Sequence, residues 1–254
     1  MDFCIETFDL TKVYNGVPAV DGIHLQVERG SFYGFLGPNG AGKSTTIKML
    51  TGIVAPTEGT ARLLGYDLAR QPLQIKRRIG VVPEDLCLFE NLTGREYLTF
   101  VGRMYRLPRE VALARTDELL ALLGLDAAEK TLTLEFSHGM KKKLSLAAAL
   151  IHDPELLFLD EPFEGIDAIA SRIIRHVLER LVARGATVFL TSHILGIVER
   201  LCTHVGIIHK GRLVRQGRLN ELAGEGHSLE DLFVTSVGEA LEGTPTLSWL
   251  GGGG

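Results

Sequence analysis

The stretch GPNGAGKS, residues 37–44, is the most informative part of the sequence. It matches the pattern G-x-x-x-x-G-K-[ST], follows a short apolar run at residues 31–36 and opens a predicted helix at Ser44–Leu50. In such a loop the glycines let backbone N–H groups point at phosphate oxygens, and the helix N-terminus adds a favourable dipole. Lys43 can reach the β- and γ-phosphates, and the Ser44 hydroxyl can bind Mg²⁺. The pattern predicts an ATP or GTP site formed by Gly37, Pro38, Asn39, Gly40, Ala41, Gly42, Lys43, Ser44 and Thr45.

The composition is ordinary for a globular protein and does not favour a nucleic-acid partner. The 254 residues are 45% hydrophobic and 23% charged, and the formal net charge is -4, whereas nucleic-acid binding normally needs a basic surplus. Three widely spaced cysteines without CxxC spacing predict reduced thiols in a cytosolic protein, not a disulfide framework or a zinc site. The first residues lack the basic start and apolar core of a signal peptide, and no apolar run approaches the roughly 20 residues of a membrane-spanning helix.

Hydrophobic periodicity predicts an α/β fold around the phosphate loop. Residues 3–10 and 23–27 alternate apolar and polar side chains, which predicts half-buried antiparallel strands. Apolar runs at 79–82, 156–159, 187–190 and 205–208 alternate with helical patterns such as Ala168–Ala183. This alternation favours a parallel sheet covered by helices on both faces. We therefore expect a P-loop NTPase sheet flanked by helices, with an N-terminal antiparallel β subdomain.

Two boundaries follow from changes in the pattern. From about residue 86 to residue 151, Leu, Ala, Glu and Arg recur at helical spacing, which predicts a helical subdomain inserted in the α/β core. A last helix is predicted over Ser228–Leu241, after a hairpin at 207–216. We expect one domain over residues 1–241 and a C-terminal tail over residues 242–254.

Two further predicted strands end in side chains that can act on a phosphate group. The apolar run at 156–159 leads directly to Asp160 and Glu161. At the carboxyl edge of a parallel sheet these acids face the ligand crevice, where Asp160 would hold Mg²⁺ and Glu161 would polarise the attacking water. His193 follows the run at 187–190 and can hydrogen-bond a γ-phosphate at the same edge.

Taken together, these motifs resemble the nucleotide-binding subunit of an ATP-binding cassette (ABC) transporter, from residue 3 to about residue 217. The phosphate loop resembles the family's Walker A motif and Leu156–Glu161 resembles its Walker B motif. Ser137–Met140 (SHGM) stands where the family signature, usually Ser-Gly-Gly-Gln, is expected. Glu84 stands where the family usually has a glutamine, and its carboxylate can bind Mg²⁺ but cannot donate a hydrogen bond.

The resemblance implies a role for each matching residue. By this resemblance, the catalytic residues are Glu161, His193 and Lys43. The Mg²⁺ ligands would be Ser44, Glu84 and Asp160. Besides the phosphate loop, its ATP contacts are Tyr14, which would stack on adenine, Ser137 and Gly139 of the signature, and Asp167 of a loop that crosses the dimer interface.

The resemblance also implies partners and a location. Two cassettes of this family pair head to tail, so one copy of each motif implies a homodimer with two equivalent sites in the ATP-bound state. A transmembrane permease on a separate chain would contact the surface near Glu84 and the helical insertion. The protein would thus be cytoplasmic, on the inner face of the cell membrane. The Val-Pro-Glu sequence ending at Glu84, the Ser-x-Gly-Met signature and Ser228–Phe233 resemble the exporter branch.

Two alternatives remain open at this point. One is a soluble ABC ATPase that moves no cargo, although such proteins usually carry two cassettes or a long coiled-coil insertion. The other is an ATP-binding regulatory module with little turnover, for which Glu84 and the altered signature would be signs of decay.

The stretch Ser137–Leu146 predicts how far the signature has changed. The family's S-x-x-Q form is a capping box, and with Ser137 as N-cap, Met140 cannot return the second hydrogen bond. His138 replaces a glycine, so any requirement for positive φ there would strain the backbone. The lysines at 141–143 are expected to form a solvated face. We expect a working signature with a weakened cap.

Overall fold

The computed structural model describes residues 2–128, 130–223 and 228–238. Its strands are β1 (Phe3–Tyr14), β2 (Val17–Ile23), β3 (Gln26–Glu28), β4 (Phe32–Leu36), β5 (Glu58–Leu63), β6 (Tyr66–Asp67), β7 (Ile79–Val82), β8 (Leu156–Asp160), β9 (Thr187–Ser192), β10 (His204–His209) and β11 (Arg212–Arg218). Its α-helices are α1 (Lys43–Leu50), α2 (Pro72–Lys76), α3 (Gly94–Met104), α4 (Arg109–Leu122), α5 (His138–Leu150), α6 (Ala168–Ala183), α7 (Leu195–Leu201), α8 (Leu219–Ala223) and α9 (Leu229–Val237). These elements confirm the predicted α/β class.

In the larger sheet, the carboxyl ends of three neighbouring parallel strands lie at one edge. Within the described residues its order is β11-β10-β4-β9-β8-β7, and every pair is parallel except β10 with β11. All residues of β4, β8 and β9 are buried, which explains their continuous apolar sequences. Leu36 pairs with Ser192, and Thr191 pairs with Asp160. The loops after β4, β8 and β9 therefore meet at one edge, where such sheets bind ligands.

The smaller, antiparallel sheet contains a break that the sequence pattern did not reveal. Its order is β2-β1-β5-β6, and β3 also pairs with β1. The alternation at 23–27 predicted one strand, and this prediction is wrong because β2 ends at Ile23 and β3 begins at Gln26. The buried Thr7 hydroxyl donates to the carbonyl oxygen of Ile23 (2.8 Å) and accepts from the N–H of Leu25 (2.7 Å). A side chain from β1 thus replaces ladder hydrogen bonds at the break.

The predicted helical insertion consists of α3, α4 and α5, which lie between β7 and β8 in the chain. Helix α3 begins with a complete capping box, in which Thr93 and Glu96 exchange hydrogen bonds between side chain and backbone. Leu98, Leu120 and Leu144, one from each helix, belong to the same buried cluster as the inner face of the parallel sheet. Helix α5 also packs on β7, so it connects the insertion to the core.

The chain after β10 agrees with the predicted hairpin and last helix as far as it is described. β10 and β11 pair across a turn at Lys210 and Gly211, both with positive φ, which suits a tight hairpin. Ser228 caps α9, which ends at Val237, whereas the predicted helix ran to Leu241. Leu241 and the predicted tail at 242–254 lie outside the described residues. Within the described ranges, no helix is both long and apolar enough to cross a membrane.

Candidate nucleotide-binding site

A polar cleft of about 370 Å³ opens where the loops after β4, β8 and β9 meet. It gathers predicted residues from four separate segments of the chain, so the fold brings most of the predicted site together. Its lining residues are Ala19, Asn39, Gly40, Gly42, Lys43, Ser44, Thr45, Glu84, Glu161, Glu164 and His193. Ala19 and Glu164 were not predicted.

The phosphate loop requires glycine at a defined position. Gly42 has φ 110°, and a Cβ there would lie 2.6 Å from the carbonyl oxygen of Ala19, so no other residue fits without strain. Helix α1 begins at the next residue, Lys43, one residue before its predicted start. The first-turn N–H groups of a helix lack partners within the helix, so this end of α1 can accept an anion. The local backbone therefore suits a phosphate group.

Lys43 is held inside this loop. Its side chain is buried, and Nζ donates to the carbonyl oxygens of Gly37 (2.7 Å) and Pro38 (3.2 Å). These bonds keep the ammonium group beside the loop amides, so positive charge and N–H donors converge on the same place. Within the loop, Gly37 and Ala41 are buried and Pro38 is partly buried.

The three predicted Mg²⁺ ligands lie close to one another. The Ser44 hydroxyl donates to Glu84 Oε2 (3.1 Å), although the two residues are 40 positions apart in the chain. Burial raises the pKa of Asp160, an effect that the hydrogen bond from Thr191 and the nearby Ser44 hydroxyl only partly offset. One hydroxyl and two carboxylates are oxygen ligands of the kind that Mg²⁺ takes when it also binds substrate phosphates. These residues therefore fit a Mg²⁺ ion.

Glu161 combines burial with a strained backbone. Only 7% of the residue is exposed, and its φ is 48°, in the left-handed region that costs a non-glycine residue about 1 to 3 kcal/mol. Its N–H donates to Thr191 Oγ1 (3.1 Å). Its Oε2 lies 3.0 Å from Nδ1 of His193 and accepts from the His193 N–H at 3.4 Å. Glu161 thus presents a carboxylate at the cleft wall, in contact with the predicted histidine.

The prediction made for Lys142 was wrong. It was expected on a solvated face, but it is only 4% exposed. Its Nζ donates to the carbonyl oxygens of Glu161 (2.9 Å) and Glu164 (2.6 Å), and burial lowers its pKa. The helical phase does not distinguish Lys142 from its neighbours, because the residues one turn after the three lysines, Ser145, Leu146 and Ala147, are all buried.

The signature stretch forms the start of α5, as predicted. The Ser137 hydroxyl accepts from the N–H of Met140 (3.2 Å), and no second bond returns from Met140, which confirms the half-complete cap. His138 has no positive φ, so the strain considered for it does not arise. The His138 ring lies beside Gly165, in the loop between Glu161 and α6. Neither Ser137 nor Gly139 lines the cleft.

Tyr14 and Asp167 also lie outside the cleft lining. Tyr14 ends β1 and is 44% exposed, with the Lys12 ammonium 5.2 Å from the centre of its ring. Asp167 is the N-cap of α6, and its carboxylate accepts from the N–H groups of Ile169 (3.0 Å) and Ala170 (2.8 Å). This N-cap was not predicted from the sequence. The hydrogen bond from Ala170 lowers the pKa of Asp167.

The cleft, the phosphate loop and the two acids at the end of β8 agree with a comparison against known families. The sequence model of the ABC transporter family matches residues 20–164. The chain belongs to the ABC transporter family. This confirms the predicted resemblance, the fold class and the assignment to a family of ATPases that bind ATP.

Characterised relatives of this ABC protein are ATP-binding proteins of transport and resistance systems. BcrA of Bacillus licheniformis, a bacitracin transport ATP-binding protein, is 42% identical over 85% of the chain and 70% of its own length. The daunorubicin/doxorubicin resistance protein DrrA of Streptomyces peucetius is 42% identical, over 86% of the chain and 66% of its own length. The linearmycin resistance protein LnrL of Bacillus subtilis is 37% identical, over 93% and 76%. The chain thus spans about two thirds to three quarters of these relatives.

Solved structures of ABC proteins share the fold. An ATP-binding subunit of an ABC transporter superposes with a TM-score of 0.86 at 33% identity, over 91% of this chain and 98% of that one. A dimeric ATP-binding cassette bound to ADP and phosphate has a TM-score of 0.79 at 23% identity, over 85% of this chain and 99% of that one. The second likeness shows the fold alone.

Proposed function

We propose that this protein is the ATP-hydrolysing subunit of an export system, that it dimerises on ATP, and that it drives a transmembrane permease on a separate chain. The observation that carries this proposal is the cleft itself, in which Lys43, Ser44 and Glu161 converge from separate segments. The names of BcrA, DrrA and LnrL, which refer to transport or resistance, support the export role.

The proposed binding roles follow from donor type and position. The phosphate-loop amides and Lys43 would bind the β- and γ-phosphates, and the exposed ring of Tyr14 would stack on adenine. Ser44, Glu84 and Asp160 would hold Mg²⁺. When bound, Mg²⁺ would neutralise charge that develops on the phosphate oxygens.

The proposed catalytic roles belong to Glu161 and His193. The Glu161 carboxylate would accept a proton from a water molecule as the water oxygen attacks the γ-phosphorus and the bond to the β-phosphate oxygen breaks. ADP is the leaving group, and the proton stays on Glu161 until inorganic phosphate departs. His193 contacts the same carboxylate and can hydrogen-bond the γ-phosphate from its exposed face.

The proposed homodimer completes each site with residues that the cleft of one chain lacks. Ser137 and Gly139 lie at the N-terminus of α5, where the helix dipole favours an anion, and they do not line their own chain's cleft. They would contact the γ-phosphate bound by the other subunit, with Asp167 on the loop at the interface. A head-to-tail pair then holds two equivalent ATP molecules.

The proposed permease contact lies on the helical insertion near Glu84. Phe89 (56% exposed) and Phe100 form an edge-to-face pair with ring centres 5.5 Å apart, and Met104 is 68% exposed at the end of α3. Exposed apolar side chains grouped in this way are typical of protein interaction sites. Docking there would hold the protein at the cytoplasmic face of the cell membrane. The domain bounds 1–241 and 242–254 remain part of the proposal.

Size-exclusion chromatography with light scattering tests this function on Glu161→Gln. The variant keeps the phosphate loop and the predicted Mg²⁺ ligands, so MgATP should convert it to a stable dimer. Without Mg²⁺, or with ADP, it should remain monomeric. A variant that stays monomeric at saturating MgATP would contradict the proposed function. Dimers formed equally with ATP and ADP would favour a regulatory module in which hydrolysis has no part.

A further inference from the structure

Lys142 is a buried cation that the proposed mechanism does not yet use. It lies in a run of three lysines on α5, and its neighbour Lys141 forms an ordinary surface ion pair with Glu90 at 3.3 Å. Lys142 instead points into the protein, toward the loop that follows β8. A buried ammonium group is costly unless it is paired and hydrogen-bonded, so the loop must supply its partners.

The two peptide groups that flank Glu161 are held from opposite sides. On the amino side, the Glu161 N–H donates to Thr191 of β9 (3.1 Å). On the carboxyl side, the Glu161 carbonyl accepts from Lys142 Nζ (2.9 Å). Since φ and ψ are rotations about the bonds between these two peptide groups, fixing both groups fixes the backbone of Glu161. A left-handed non-glycine residue persists only where its surroundings hold it in this way.

Lys142 also holds the loop three residues further along the chain, at Glu164. Its Nζ donates to the Glu164 carbonyl (2.6 Å) and lies 4.0 Å from the Glu164 carboxylate. One ammonium group therefore ties residues 161 and 164 to α5. Because three donors radiate from a single nitrogen, Lys can reach both carbonyls at once.

We propose that Lys142 is a positioning residue for the catalytic carboxylate, because its contacts with the Glu161 and Glu164 carbonyls aim the Glu161 side chain at His193 and the cleft. The proposal rests on the proposed function, in which Glu161 is the general base. Lys142 does not line the cleft, so it acts through Glu161 and not on the nucleotide.

Steady-state kinetics of the full chain test this role with Lys142→Met. Misplacing a catalytic group by about 1 Å can lower the rate by as much as about 100-fold, so we expect kcat to fall about 10- to 100-fold. KM for ATP should stay within about twofold, because the phosphate loop is untouched. Lys142→Arg retains donors for both carbonyls and should recover most of the rate. Lys141→Met, the matched neighbour, should behave as wild type.

A double-mutant cycle separates positioning from a general structural effect. In the Glu161→Gln background the base is already absent, so adding Lys142→Met should change the residual rate by less than about twofold. An equal fold-loss in both backgrounds, or a wild-type kcat for Lys142→Met, would overturn the proposal. If Lys142→Met does not fold, Lys142→Gln, which keeps one donor group, takes its place with the same expectations.

The cycle also distinguishes the two levels of the argument. A slow Glu161→Gln with a normal Lys142→Met would overturn the positioning role alone. Normal hydrolysis by Glu161→Gln would overturn the general-base assignment and, with it, the positioning role.

Discussion

Thr191→Val should destabilise the protein by more than its small change in shape suggests. Thr191 lies in β9 with 0% of its surface exposed. Its hydroxyl donates to Asp160 Oδ1 (2.5 Å) and accepts from the Glu161 N–H (3.1 Å). A bond between neutral groups contributes about 0.5 to 1.5 kcal/mol, and a bond to a carboxylate about 1.5 to 3 kcal/mol. Their joint loss should lower the free energy of unfolding by roughly 2 to 4.5 kcal/mol.

Urea unfolding of Thr191→Val and Thr191→Ser measures this loss. The serine variant keeps the hydroxyl and loses one methyl group, so we expect it to lose only about 1 kcal/mol. For a chain of this size each kcal/mol lowers Tm by about 2 to 4 °C, so the valine variant should melt roughly 4 to 18 °C lower. The pKa of Asp160, which burial raises, should rise further without the hydroxyl. A valine variant as stable as the serine variant would show that the two hydrogen bonds of Thr191 do not stabilise the fold.

Three further changes have defined outcomes. Gly42→Ala places a Cβ 2.6 Å from the Ala19 carbonyl oxygen at φ 110°. It should therefore lower the free energy of unfolding in urea by about 1 to 3 kcal/mol and abolish ATP binding in a fluorescence titration. Gly196→Ala, where a Cβ would meet nothing within 4 Å, should change neither quantity. Ser137→Arg should block the MgATP-dependent dimer in size-exclusion chromatography and spare ATP binding by the monomer; normal ATPase activity in this variant would contradict the trans contact. Burial lowers the pKa of His152 from 6.5 to about 4, so the folded protein favours the neutral ring. The stability that the buried neutral ring contributes is fully present above pH 6.5 and is lost as the pH falls toward 4, because the unfolded chain then binds a proton that the folded protein does not. At 1.36 kcal/mol per pH unit the loss amounts to about 3 kcal/mol. The free energy of unfolding of His152→Phe should therefore fall less steeply than that of wild type between pH 6.5 and 4, and an equal slope would show that His152 does not cause the fall.

The sequence was most informative where the signal is local. The phosphate loop is contiguous, and its glycines, lysine and serine have their roles at fixed spacing, so its position next to a strand and a helix could be predicted. Helix α6 has the predicted bounds, Ala168–Ala183, because apolar residues recur every three to four positions along it. Asp160 and Glu161 were predicted to face the cleft because they end a continuous apolar strand; Glu161 lines it, whereas Asp160 is buried and does not.

The remaining features depend on contacts between distant parts of the chain. The break at residues 24–25 arises from Thr7, which lies 16 residues before Ile23, and an alternating pattern carries no sign of such a partner. Lys142 is buried because carbonyls 19 and 22 residues away accept its hydrogen bonds, whereas its lysine neighbours share the same local sequence. Thr191 was overlooked beside His193, although its place at the end of a buried strand is a signal that can be used.

Phosphate release at saturating MgATP, compared between wild type and Glu161→Gln, tests whether this protein hydrolyses ATP with Glu161 as its general base. We expect wild type to turn over ATP and Glu161→Gln to lose at least about 100-fold in kcat, since general acid–base catalysis contributes about 10² to 10⁴. Glu155→Gln is the matched control, because Glu155 precedes the opposite end of β8, outside the cleft, and should keep the wild-type rate. Equal rates for wild type and Glu161→Gln would contradict the role of Glu161 as general base and, with it, the proposed mechanism of hydrolysis.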